Sequence, residues 1–242
     1  MTSLRHAWAS LAPQLTLLQP LPFPAAGWAL LERLHAGFND RDAHTRLPLA
    51  VARVRPEACR AIHALARRCD DVETVIVDAP WERDGAAEPM AAFARQFNAD
   101  VDALMAVLVP AARYRKGHYA YGRFTVPAPH GLHTDHSAED PAATGEPICI
   151  ARIATLGTHY VAGDDRARDA GTRRRLEALR YWTPLPEGGP GGEPEALLDA
   201  LLAQGILRTI PVDHVVLMVA GNASPDTQVT QHMAARPPAG GL

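Results

Sequence analysis

The sequence predicts an α+β fold in which helices of the first half support an antiparallel barrel or jelly roll built from the second. Two observations carry this. Apolar residues recur every three and four positions as far as Pro110, and then give way to short runs rich in β-branched and aromatic residues. Those runs lack the regular helix–strand alternation that a doubly wound parallel sheet requires. At 242 residues the chain is long enough to bury a sizeable core, and we read it as one domain: 1–110 as helical support, 111–242 as the strand-rich core.

In chain order, "AAGWALLERLHAGF" (25–38) and "PEACRAIHALARRCD" (56–70) show the helical period. A short strand, "VETVIVDAPW" (72–81), follows. The longest predicted helix spans 86–110, where Phe93, Phe97, Val101, Leu104 and Leu108 recur at helical intervals until Pro110 ends the pattern. Beyond it, "RYRKGHYAYGRFTV" (113–126), "ICIARIAT" (148–155), "THYVAG" (158–163), "DHVVLMVAG" (213–221) and "TQVTQHM" (227–233) read as strands. An insertion at about 170–205 interrupts them. It comprises a helix in "TRRRLEALRYW", the Pro/Gly loop "PLPEGGPGGEP", and a second helix, "EPEALLDALLAQG", closed by Gly205. Its position between strands suits a lid over a cavity.

Composition narrows the function. The formal net charge is −3, and the basic residues are scattered apart from "TRRRLEALR", so no concentrated basic face for nucleic acid is expected. No run of eighteen apolar residues and no signal-peptide pattern is present, which argues against membrane spanning and secretion. Cys59, Cys69 and Cys149 are odd in number and lack CxxC spacing; a reducing cytoplasm is the expected compartment.

The chemistry concentrates in "PAPHGLHTDHSAEDP" (127–141), which holds His130, His133, Asp135 and His136 between prolines. On a strand, His133 and Asp135 leave the same face and can take adjacent positions on one metal. Two histidines and one carboxylate on one face of an octahedron leave open positions, an arrangement suited to iron(II) and oxygen. The best third ligand is His232 in "VTQHMAARPP". His136 would point to the opposite face and His130 reads as a loop residue. His159 and Tyr160 would line the cavity or pack in the core, and Tyr119, Tyr121 and Arg123 share one face of an alternating segment. His214 is expected at a strand start, facing solvent.

Taken together, "LHTDHS", "IARIATLGTHYV", "VDHVVLMVAGNASP" and "VTQHMAARPP" resemble the core strands of the iron(II) and 2-oxoglutarate dependent dioxygenases, over about residues 111–242. The resemblance implies a double-stranded β-helix (jelly-roll, cupin-like), with His133, Asp135 and His232 as the catalytic metal ligands. It implies Fe(II) as cofactor, 2-oxoglutarate as cosubstrate, molecular oxygen, and hydroxylation or a related oxidation of a small-molecule or amino-acid-like substrate. The family's arginine for the distal carboxylate follows the distal histidine by about ten residues, and no basic residue follows Arg236 here. Arg152, in the apolar "ICIARIAT" next to Thr155, and Arg236 are the substitutes, a guanidinium being suited to bidentate carboxylate binding. The final strand would then be absent, shortened or supplied by another segment, and an exposed sheet edge there would suit a homodimer.

Three other readings stay open. One is a metal-dependent cupin-like enzyme that does not use 2-oxoglutarate. A second is a zinc hydrolase, although "HGLHTDH" misses the HxHxDH register because Gly131 stands where the first histidine is needed. The third is a non-catalytic cupin-like binding protein.

Overall fold

The computed structural model describes residues 3–36, 46–66, 75–76, 88–108, 114–121, 131–133, 148–154, 158–162, 169–180, 192–211, 213–220 and 232–234. Helix α1 (Leu4–Leu11) starts where the Ser3 hydroxyl accepts from the His6 N–H at 3.3 Å, satisfying one of the donors that a helix start leaves unpaired. Strand β1 (Leu18–Pro20) and helix α2 (Ala25–Ala36) follow. Helix α2 buries Leu30, Leu31 and Leu34, which the i, i+3/i+4 period places on one stripe. Strand β2 (Leu49–Val54) leads into α3 (Pro56–Ala66), whose first residue is a proline with its φ already set for a helix. After β3 (Val75–Ile76) comes α4 (Glu88–Leu108), the 21-residue helix that the apolar period predicted. Its Phe97, Val101, Leu104, Met105 and Leu108 are fully buried.

The second half supplies β4 (Tyr114–Tyr121), β5 (Ile148–Ala154), β6 (Thr158–Val161), α5 (Ala170–Ala178), α6 (Glu193–Ala203), β7 (Leu207–Ile210), β8 (His214–Ala220) and β9 (His232–Ala234). Gly205, with φ at 67°, takes the left-handed conformation that closes α6, as its sequence position predicted. Among the described residues, the strands form two sheets: a six-stranded sheet in the order β1-β2-β8-β5-β4-β3 and a three-stranded antiparallel sheet in the order β7-β6-β9. The β4–β5 pair is parallel, and the other pairs of the larger sheet are antiparallel. Among the described residues the strands do not form the expected double-stranded β-helix. The first half is more than helical support, because β1 and β2 extend the large sheet through the pairing of β2 with β8.

The period of β8 sets the layers. Val215 and Leu217 join the cluster under α1, α2 and α4, while Val216 and Met218 face the other way and pack with Tyr160 of β6. Tyr160 is thus the bolt between the two sheets. A second cluster covers the small sheet from outside: Leu176 and Leu179 from α5 and its cap, Leu198 and Leu201 of α6, Ile206, Leu207, Met233 and Leu132. Both insertion helices are therefore fixed parts of the core, while the loop between them lies outside the described residues.

The chain between α1 and β1 is held by side chains far away in sequence. Asp100 of α4, 2% exposed, accepts from the Thr16, Leu17 and Leu18 N–H groups, and Gln96 Nε2 donates to it at 2.9 Å. The Arg55 guanidinium donates to the Ala12 and Leu15 carbonyls. No described helix is long and apolar enough to cross a membrane.

Candidate metal centre

His133 ends the short described segment 131–133, and its placement follows from its two predecessors. Leu132 is buried in the second cluster, and its N–H donates to the Leu179 carbonyl at 3.0 Å. That carbonyl is one of the acceptors left over at the end of α5. Gly131 runs directly beneath the same turn: a Cβ built on it would come within 2.6 Å of the Leu179 oxygen and the Arg180 carbonyl carbon. No side chain fits there.

The His133 ring folds back on this segment, with Nδ1 2.7 Å from the Gly131 carbonyl oxygen. A carbonyl only accepts, so Nδ1 carries the hydrogen and the lone pair of the neutral ring resides on Nε2. A metal-ligating histidine is commonly held by such a bond from its other ring nitrogen to a backbone carbonyl. On this chemistry His133 fits a metal ligand.

His232 begins β9, in register opposite Tyr160, and Met233, in register opposite His159, is fully buried in the cluster that holds Leu132. The residues adjoining the two predicted histidine ligands thus share one apolar core, although about a hundred positions separate them. Arg152 lies in β5 in register opposite Val216, the residue that packs on Tyr160. Its register position and that of His232 therefore belong to the two strand pairs that the Tyr160–Val216 contact joins. Asp135, Thr155 and Arg236 lie outside the described residues, as do His130, His136 and Arg123. Among the described residues no group of three or more His, Cys, Asp or Glu side chains is placed to hold a metal.

His159 and Tyr160 are both buried. His159 pairs through Nδ1 with the Thr209 hydroxyl at 2.8 Å, a core arrangement. Tyr119 and Tyr121 take register positions opposite Ile153 and Val75. His214, opposite Arg53 at the start of β8, is half-buried.

Two features escaped the sequence reading. Gly131 registered only as a residue spoiling a zinc motif, and the lone glycine between two histidines was its one signal of close backbone approach. Asp100 was not singled out, because the backbone N–H groups it holds lie more than eighty residues away.

Comparison with family models, with curated proteins and with solved structures gives no match to this chain.

Proposed function

We propose that the protein is a non-heme iron(II) oxygenase that uses 2-oxoglutarate to hydroxylate, or otherwise oxidise, a small-molecule or amino-acid-like substrate on a double-stranded β-helix core. One observation carries the reading: Leu132 and Met233, the immediate neighbours of His133 and His232, are buried together. Two sequence segments that the ligand pattern requires to meet are thereby drawn into one core. The strand path also supports it. From β5 onward the chain passes from the large sheet to β6 and β7 of the small one, back through β8 and out again to β9. Such repeated crossing between two facing sheets is the habit of a jelly roll.

His133 and His232, with Asp135 between them in sequence, would hold the iron, and Arg152 or Arg236 with Thr155 would take the distal carboxylate of 2-oxoglutarate. Bound there, iron(II) supplies the oxygen activation that couples oxidative decarboxylation of 2-oxoglutarate to substrate oxidation. The chain's own part is to present Nε2 of His133 and to keep the space between the sheets dry through Tyr160, Val216 and Met218.

The test is anaerobic reconstitution with iron(II), then 2-oxoglutarate, watching for the weak visible charge-transfer band. The expected result is a band in the wild type that His133→Ala and His232→Ala both abolish. Iron binding without a band would remove 2-oxoglutarate from the proposal. No iron binding at all would end the metal reading.

A further inference from the structure

We propose that Gly131 and the C-terminal turn of α5 form a clasp that sets the tautomer and aim of His133, making Gly131 a positioning residue for that ligand. The inference rests on the metal-site reading for its purpose, but its geometry stands independently. Segment 131–133 is tied by the Leu132 N–H to the Leu179 carbonyl, by the Gly131 backbone against the Leu179 and Arg180 carbonyls, and by the His133 Nδ1–H to the Gly131 carbonyl. The first two fix where the Gly131 carbonyl lies, and the third makes the ring follow it.

Two consequences follow from elementary chemistry. The Nδ1 bond to an obligate acceptor holds the neutral ring with its lone pair on Nε2, the form a metal needs. Any side chain at 131 must push the segment off the helix end, because the atoms it meets are backbone and cannot rotate away. The insertion helix α5 therefore acts as the mould for the ligand segment. Its own N-terminus is secured in turn by Asp169, whose carboxylate accepts from the Thr172 N–H at 2.8 Å.

The experiment uses the full chain. Nitrogen-15 NMR of the metal-free protein, with the His133 signals assigned by their loss in His133→Gln, should show the Nδ1–H tautomer in the wild type. Gly131→Ala should lose that signature and bind iron(II), titrated alone without oxygen, about 10- to 100-fold more weakly, the range typical of outer-shell partners of metal ligands. Arg180→Pro perturbs the clasp from the other side, since proline disfavours the αR conformation of Leu179 that precedes it. It should behave like Gly131→Ala. Arg180→Ala, which trims an exposed side chain and leaves Leu179 free to keep its αR conformation, should preserve the Nδ1–H tautomer and hold the affinity within about twofold.

If Gly131→Ala does not fold, the Arg180 pair decides. A wild-type His133 carrying its hydrogen on Nε2 overturns the clasp, as does Gly131→Ala or Arg180→Pro keeping both tautomer and affinity. Should the wild type bind no iron while His133 shows the Nδ1–H form, the metal reading has failed and the clasp has not.

Discussion

Replacing Asp100 by alanine is expected to destabilise the protein severely without touching any residue of the candidate centre. The carboxylate accepts from the Leu17 and Leu18 N–H groups at 2.6 and 2.9 Å through Oδ2, and from the Thr16 N–H at 3.2 Å through Oδ1. Thr16 is exposed, so water can replace its partner; Leu17 is half-buried and Leu18 fully buried, so theirs cannot readily be replaced. Two stranded donors at about 1–3 kcal/mol each set the loss at about 2–6 kcal/mol. For a chain of this size, about 3 kcal/mol lowers Tm by roughly 6–12 °C. Asp100→Asn keeps one acceptor oxygen for the Leu17 and Leu18 donors and turns an amide N–H₂ toward Thr16 and Gln96, so its loss should fall between wild type and Asp100→Ala. Thermal unfolding followed by circular dichroism measures all three proteins. A Tm within about 2 °C of wild type for Asp100→Ala would show that the carboxylate does not hold the β1 segment.

Two further predictions concern titratable groups. Burial first, and then the neighbouring Asp213 carboxylate, push the Cys59 thiol from its ordinary 9.0 up to about 12, so iodoacetamide at pH 8 should modify Cys59 far more slowly in the native protein than in urea, as peptide mass spectrometry would show. Because the folded value is the higher one, this thiol's contribution to stability is complete below pH 9 and declines as the pH rises toward 12; equal labelling rates in both states would contradict the assignment. Asp169 is shifted the other way, its carboxylate held below the ordinary 3.8 by the Thr172 N–H. Its contribution to α5 is present above pH 3.8 and is lost as the pH falls through the lowered folded value, so Asp169→Asn should flatten the acid limb of the stability profile, and an unchanged limb would refute the capping role.

How far the sequence could be read depended on the range of the interaction. The period of Phe93, Phe97, Val101, Leu104 and Leu108 is local, and α4 formed within two residues of each predicted end. β8 and the Gly205 closure were equally visible, one as a dense apolar run and the other as a glycine after a helical pattern. β1 and β2 were missed because "LQP" is too short to show alternation, and because "LAVARV" owes its strand to pairing with β8 across about 160 residues. At the site, the residue types of His133 and His232 marked them out, since local chemistry identifies ligand candidates. The clasp at Gly131 was invisible, because a helix end fifty residues downstream defines it.

The burial of Leu132 beside Met233 has a temporal consequence. A ribosome adding about 5–20 residues per second needs several seconds to travel from one to the other. During that interval the first histidine segment has been made but the strand that completes its core has not, and α5, α6, Ile206 and Leu207 are the members of that cluster available to receive it. The core shared by the two segments therefore closes only once β9 has been synthesised, and any ion held between them would be acquired after that point rather than during emergence of the first motif.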